Sequence, residues 1–132
     1  MIKYEEQVKE CHQAMELAID EKYNIELLRL RKRLLNEEMK ELNDEFDNLI
    51  NQLEQGETKL ETRANFLKEL ADLQYVLSGT VVAFGLPFEE VFDRVHKSNM
   101  SKLVNGKVLK REDGKFLKGP NYKPPFLDDL AQ

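Results

Sequence analysis

The stretch that decides the fold is Leu70–Phe84, which reads LADLQYVLSGTVVAF and contains one charged residue, Asp72. Apolar side chains fall at nearly every angle of a helix here, which predicts a helix buried at the centre of a bundle or across a subunit interface. A carboxylate in such a helix must be paired, hydrogen-bonded or bound to a metal, because an isolated buried charge is very costly. Glu69 lies three residues earlier on the same helical face. The two acids therefore indicate half of a cation site.

A second acidic pair lies on a helix predicted from Ile25 to Leu53. Apolar residues recur there at spacings of three, four and seven and form one stripe: Leu28, Leu35, Leu42, Phe46, Leu49 and Leu53. Glu38 falls inside this apolar arc and so faces other helices, while Glu41 and Glu45 lie along its edge. If this helix runs antiparallel to the one that carries Glu69 and Asp72, then Glu38, Glu41 and that pair converge on one point.

The remaining helical signals predict an all-α bundle of four to five helices. A first amphipathic helix is expected over residues 2 to about 20, with His12 as a structural or surface residue. Gly56 is a plausible stop for the second helix, and Thr58 with Glu61 matches a capping box that starts the third helix near Lys59. Gly85 then ends the third helix.

The C-terminal part of the chain is predicted to contain one more helix, followed by a hairpin and a tail. Pro87 suits the first turn of a fourth helix, which is expected to end near Met100. Beyond it, two short apolar runs flank Asp113-Gly114, which predicts a small β-hairpin around a two-residue turn. We expect a single domain over residues 1–132, with a helical core to about residue 100 and a basic hairpin and tail over 101–132.

Composition restricts the compartment and the partners. Hydrophobic residues make up 41% and charged residues 34%, which suits a helix-rich protein, and the single Cys11 excludes an intramolecular disulfide. The start of the chain has no signal-peptide core, so we expect a cytoplasmic protein without a membrane span. The net charge is −5, yet bases dominate from Arg94 to Lys123, which suits phosphate binding or a solvated tail. The acidic first two thirds argue against nucleic-acid binding.

The acidic pairs favour one kind of chemistry. Oxygen-only sites of high negative charge suit Mg²⁺, with Mn²⁺ as a substitute, and such ions bind substrate phosphates. Neither pair contains the His that di-iron bundles use, and neither a P-loop nor a nucleophilic triad is suggested, so metal-assisted hydrolysis remains. Two alternatives stay open: Glu38 and Glu41 lie on a solvated face, or Asp72 pairs with a buried arginine such as Arg31 or Arg33. The chain would then be a non-catalytic, oligomeric helical interaction protein.

The acidic pattern also resembles a known family. Glu37-Glu38-x-x-Glu41, a gap of 27 residues and Glu69-x-x-Asp72 resemble the signature of the all-α nucleoside triphosphate pyrophosphohydrolases, which include MazG-type enzymes. The segment from Val95 to Leu103, VHKSNMSKL, followed by Gly106-Lys107-Val108, resembles the phosphoribosyl-ATP pyrophosphohydrolase-like branch. The resemblance covers roughly residues 25 to 125.

The resemblance implies an activity and roles for particular residues. It implies a Mg²⁺-dependent enzyme that cleaves between the α and β phosphates of a nucleotide, releasing a monophosphate and pyrophosphate, and that works as a homo-oligomer, a dimer or a tetramer. No base-recognition motif is identified, so the nucleotide stays open. The residues match the family in three groups: Glu38, Glu41, Glu69 and Asp72 as metal ligands; Glu37, with Glu38, as the catalytic carboxylates; and Lys97, Asn99 and Lys102 as phosphate-binding groups. For Glu37 the resemblance implies either a ligand of a second metal ion or the base that orients the attacking water. Asp93 lies one turn before Lys97 and is a further candidate, either orienting Lys97 or joining the metal ligands.

Overall fold

The all-α class predicted from the sequence is confirmed. A computed structural model describes residues 2–132. It contains four helices and one antiparallel hairpin: α1 (Lys3–Ala14), α2 (Ile25–Glu54), α3 (Leu60–Phe84), α4 (Phe88–Met100), β1 (Leu109–Lys110) and β2 (Phe116–Leu117). The chain divides after Leu86 into two compact units, the first containing α1–α3 and the second, Pro87–Gln132, containing α4 and the hairpin. The single domain over the whole chain stays a prediction.

Helices α2 and α3 run antiparallel, as the convergence of the two acidic pairs requires. Near the loop that joins them, Gln52 Nε2 donates a hydrogen bond of 2.7 Å to Thr62 Oγ1. One to two turns further on, the rings of Phe46 and Phe66 meet edge to face with centroids 4.9 Å apart. At the far end, Arg31 Nη2 donates to the carbonyl oxygen of Val76 over 2.7 Å. In these contacts the residue numbers fall along α2 as they rise along α3, so the two helices are antiparallel.

The buried core of the first unit lies in the C-terminal half of α3. Residues 78, 79 and 81–84 are buried there. Earlier along the helix, before residue 78, Leu70, Tyr75 and Leu77 remain about 40% exposed, and Leu60 and Leu67 are largely exposed. The predicted burial of Leu70–Phe84 is thus complete within this chain only for its second half. On α2, Leu42 is buried, but the other residues of the predicted stripe are at least partly exposed.

Helix α1 ends six residues earlier than the predicted limit of about residue 20, at Ala14. Glu16 takes a left-handed conformation with φ 57°, and Leu17 N donates back to the carbonyl oxygen of His12 over 2.8 Å. This is the Schellman ending of a helix, here formed without the usual glycine. His12 is buried, and its Nδ1 lies 2.8 Å from the carbonyl oxygen of Ala18, so its predicted structural role is confirmed.

Two local predictions were wrong in detail. The predicted capping box is absent, because Lys59 is the N-cap residue of α3 without a side-chain cap, and Thr58 Oγ1 accepts a hydrogen bond from Arg63 instead. Gln52 of α2 holds this helix start by accepting a hydrogen bond of 2.9 Å from Lys59 N. The hairpin turn is not the two-residue Asp-Gly type. Its hydrogen bond runs from Gly114 N to the Arg111 carbonyl oxygen, and Gly114 follows the turn with φ 86°.

The predicted helix ends at the glycines are confirmed. Helix α2 ends at Glu54, just before Gly56, and α3 ends at Phe84 before Gly85, which has φ 60°. A Cβ on Gly85 would lie 2.4 Å from Asp20 Oδ1. The backbone nitrogens of Asp20 and Glu21 donate to the carbonyl oxygens of Val82 and Ala83, at the last turn of α3. The segment after α1 therefore caps the core helix.

Within residues 2–132, no single helix is long and apolar enough to cross a membrane. Only α3 and α4 taken together, across the break between them, reach the required length and composition.

Candidate metal centre

Four carboxylates meet where α2 and α3 pack. Glu38 and Glu41 project from α2, and Glu69 and Asp72 project from α3. One oxygen of each lies within 4.8 Å of the corresponding oxygen of every other member. Each pair is three residues apart in sequence, so each presents both carboxylates on one helical face. We call this set the carboxylate group.

The carboxylate group has the chemical properties that a divalent cation requires. Glu38 Oε2 and Glu69 Oε2 are buried and find no hydrogen-bond partner within the described part of the chain. Buried polar atoms in native proteins are nearly always partnered, so these two oxygens call for a ligand. The ligand atoms that the group offers to a metal are all carboxylate oxygens, which Mg²⁺ and Mn²⁺ prefer. The residues therefore fit a hard divalent cation.

The proton affinities reflect the crowding of like charges. Burial raises the pKa of Glu38 above its ordinary value, and the nearby carboxylates of Glu41, Asp72 and Glu69 raise it further. Burial also raises the pKa of Glu69, with the close carboxyl of Glu41 adding to the effect and Lys68 opposing it. The crowding therefore disfavours the ionised forms of Glu38 and Glu69 in the fold.

This crowding predicts a pH dependence of folding stability. A carboxyl with a raised pKa binds its proton more tightly in the folded state than in the unfolded state. The metal-free protein should therefore gain stability from Glu38 and Glu69 as the pH falls from neutral through their raised pKa values toward about 4.5, the ordinary value of a glutamate. Chemical denaturation of wild type and Glu38→Gln between pH 7.5 and 4.5 measures this, and the stability difference between the two should shrink as the pH falls. A constant difference would contradict it.

Lys68 supplies a cation that the sequence reasoning missed. Its Nζ lies 2.6 Å from Asp72 Oδ2 and 3.6 Å from Glu69 Oε1. The hydrogen bond to Asp72 is the main reason that the pKa of Lys68 is raised. The signal was present in the sequence, since Lys68 precedes Glu69 directly and lies four residues before Asp72.

The alternative in which Asp72 pairs with a buried arginine does not hold. Arg31 is buried, but its guanidinium donates to Thr80 Oγ1 and to the Val76 carbonyl oxygen. Asp72 instead bonds to Lys68, whose side chain is 66% exposed. A solvent-exposed lysine leaves most of the negative charge of the group uncompensated.

Two further acids of α2 lie outside the carboxylate group. Glu37 is exposed and lines a cavity of about 400 Å³ with Asn36 and basic side chains of the same helix, among them Arg29 and Arg33. Glu45 has a buried Oε2 without a partner among residues 2–132, yet it is not a member of the group. The catalytic role expected of Glu37 stays a prediction.

The residues expected to bind phosphate belong to the second unit. Lys97 Nζ lies 2.9 Å from Asp93 Oδ2, and this hydrogen bond is the main cause that raises the pKa of Lys97. Asp93 therefore forms an ion pair with Lys97, and its role at the site stays a prediction. Asn99 is exposed, and Lys102 Nζ lies 5.8 Å from the ring centroid of Tyr122. Their contact with a substrate stays a prediction.

The C-terminal tail is held on α4 by specific polar contacts. Arg94 Nη1 lies 2.6 Å from Asp129 Oδ1 and donates to the Phe126 carbonyl oxygen over 3.1 Å. Ser98 Oγ donates to the Lys123 carbonyl oxygen over 2.7 Å. The tail after the hairpin is therefore an ordered part of the second unit.

The fold and the site together define a class: an all-α protein in which two antiparallel helices carry a four-carboxylate cation site. The family model for phosphoribosyl-ATP pyrophosphohydrolase matches residues 4–99. The chain belongs to this family, which is part of the MazG-like nucleoside triphosphate pyrophosphohydrolase superfamily. No curated protein matches the chain.

The family match confirms the resemblance seen in the sequence. It contains both acidic pairs, Asp93, Lys97 and Asn99, and it ends before Lys102 and the hairpin. Membership supports a hydrolase of the nucleotide pyrophosphohydrolase kind with a nucleotide substrate, and the family's dependence on divalent metal agrees with the carboxylate group.

Proposed function

We propose that this protein is a Mg²⁺-dependent nucleotide pyrophosphohydrolase that cleaves the bond between the α and β phosphates, releasing a nucleoside monophosphate and pyrophosphate. The observation that carries the proposal is the carboxylate group, two of whose buried oxygens have no partner among residues 2–132, in a chain of the phosphoribosyl-ATP pyrophosphohydrolase family. Glu38, Glu41, Glu69 and Asp72 would hold Mg²⁺, or Mn²⁺ in its place.

Different residues of the chain have different proposed roles in the reaction. A bound divalent cation supplies electrostatic stabilisation of phosphate oxygens and a water of lowered pKa. The carboxylates would fix the position of that charge, and Glu37, with Glu38 beside it, is the proposed base that orients the attacking water. Lys97 and Lys102 would offset charge on the phosphates, with Asn99 as a hydrogen-bonding group. Asp93 holds the Lys97 ammonium by its ion pair.

Pyrophosphate release tests this proposal. Purified protein is incubated with a panel of canonical, deoxy and modified nucleoside triphosphates and with phosphoribosyl-ATP, in Mg²⁺, in Mn²⁺ and with chelator. We expect release that depends on the metal and differs strongly among nucleotides, because pocket contacts discriminate between transition states. Absence of release from every member, by a folded protein, would favour the non-catalytic interaction protein.

We also propose that the protein is a homo-oligomer, a dimer or a tetramer. Leu60 and Leu67 of α3 are 75% and 67% exposed, and their spacing of seven residues places them on one helical face. On α2, Phe46, Ile50 and Leu53 form a second half-exposed row. These exposed apolar side chains on two helices support a protein interface, and a second copy of the chain would offer a matching surface.

A charge on this apolar face should dissociate the oligomer. Leu67→Glu is expected to weaken self-association roughly 100-fold, because a symmetric interface loses the leucine twice. Light scattering coupled to gel filtration measures the mass. Asn65→Glu is the control, since it adds the same charge about 200° away around the same helix. An unchanged mass for Leu67→Glu, or a monomeric wild type, would contradict the prediction.

A further inference from the structure

Lys68 forms ion pairs with two of the four carboxylates in the carboxylate group. Its ammonium lies 2.6 Å from Asp72 Oδ2 and 3.6 Å from Glu69 Oε1, so it contacts both α3 members of the carboxylate group. The side chain of Lys68 is 66% exposed, whereas those of Glu69 and Asp72 are 14% and 35% exposed. The lysine is therefore more exposed to solvent than the two carboxylates that it contacts.

One ammonium cannot satisfy the carboxylate group. Lys68 carries a single positive charge against four carboxylates, and no contact places it on Glu38 or Glu41 of α2. Glu38 Oε2 and Glu69 Oε2 stay buried and unpartnered beside it, within the residues that the structure describes. The ammonium thus neutralises one side of the group and leaves the other side open.

A divalent cation and this ammonium compete for the negative charge of the same two carboxylates, Asp72 and Glu69. A cation held by all four carboxylates uses oxygens of Asp72 and Glu69, and two positive centres a few ångström apart repel strongly. We propose that Lys68 is a tethered counter-ion that holds Asp72 and Glu69 in the metal-free protein and leaves them when a divalent cation binds. Lys68 thereby sets the Mg²⁺ concentration at which the site fills. This inference rests on the metal-dependent function proposed above.

An ordinary surface ion pair offers the matched comparison. Lys40 and Asp44 of α2 have the same spacing, but their charged atoms are 3.3 Å apart and their side chains are 79% and 61% exposed. Asp44 does not belong to the carboxylate group. Removing Lys40 therefore takes one positive charge from the neighbourhood of Glu41 without freeing a metal ligand.

Calorimetric titration with Mg²⁺ alone tests the inference without any measurement of activity. We expect Lys68→Met to bind Mg²⁺ about tenfold more tightly than wild type, because no charge-assisted hydrogen bond has to be broken first. Lys40→Met should stay within about twofold of wild type, since exposed charges are screened by solvent. In a crystal soaked with Mn²⁺, Lys68 Nζ should have moved out of hydrogen-bonding distance of Asp72.

The outcomes separate this inference from the proposed function. Equal Mg²⁺ affinities for Lys68→Met and Lys40→Met, or a Lys68–Asp72 hydrogen bond that persists with Mn²⁺ bound, would overturn the counter-ion role alone. A wild type that binds no Mg²⁺ would overturn both. Because Lys68 is exposed and its partners lie on its own helix, we expect Lys68→Met to fold, and denaturation of the metal-free variant verifies this.

Discussion

Replacing Asp72 by asparagine is expected to weaken metal binding and catalysis by orders of magnitude while leaving the fold intact. The change keeps the shape of the side chain and removes one of the four charges that meet between α2 and α3. Loss of a direct ligand should weaken Mg²⁺ binding roughly 100-fold or more, at least as much as changes in outer-shell partners of metal sites. Pyrophosphate release should fall about 1000-fold, because a bound cation supplies several kcal/mol of transition-state stabilisation.

The control for this prediction is Asp44→Asn. Asp44 is an exposed acid of α2 that pairs with Lys40, in the same way that Asp72 pairs with Lys68. The Asp44→Asn variant should retain wild-type Mg²⁺ affinity and activity, and both variants should unfold cooperatively. Wild-type affinity in Asp72→Asn, or equal losses in the two variants, would show that the carboxylate group is not the metal site.

The second large effect is expected where Arg31 crosses Gly79. A Cβ at Gly79 would lie 2.4 Å from Arg31 Nη2 and 3.3 Å from His12 Nε2. Gly79→Ala should therefore displace the guanidinium from the Val76 carbonyl oxygen and cost about 1–3 kcal/mol of folding free energy, as overpacking does. Arg31→Met should cost about 2–4 kcal/mol, because it removes two hydrogen bonds made by a charged, buried group. Urea denaturation measures both.

A double-mutant cycle isolates this contact. In the Arg31→Met background, Gly79→Ala should become neutral or stabilising, since alanine favours a helix over glycine by roughly 1 kcal/mol. Ala71→Gly, at an exposed position of α3, measures the difference in helix preference between alanine and glycine on the same helix. Additive effects of the Arg31 and Gly79 substitutions would contradict the close approach and would leave the packing of α1 and α2 on α3 unexplained.

The helical elements and the four-carboxylate group were predictable because periodicity and spacing are local properties. The stripe on α2 and the position of Glu38 within it pointed to the face that meets α3, and Gly56 and Gly85 marked the helix ends. Antiparallel packing then follows from a short connection. Glu69 and Asp72 were identifiable because charge is rare in an apolar helix.

Other features depend on tertiary contacts that one sequence does not reveal. Helix α1 ends at Ala14, shortly before Glu16, which takes a left-handed conformation that favours glycine. Contacts of the following segment with His12 and α3 stabilise this ending. The start of α3 is held by Gln52, a residue of the preceding helix, and not by Thr58. Lys68 was overlooked because a lysine four residues from an acid usually forms an unimportant surface pair.

Cleavage of the α–β bond of a nucleotide at the carboxylate group can be followed by ³¹P NMR of the products formed from the best substrate in H₂¹⁸O with Mg²⁺. We expect a nucleoside monophosphate and pyrophosphate in equal amounts, with one ¹⁸O atom incorporated per cleavage, and no reaction in chelator. A nucleoside diphosphate with orthophosphate, or cleavage that continues undiminished without metal, would contradict it.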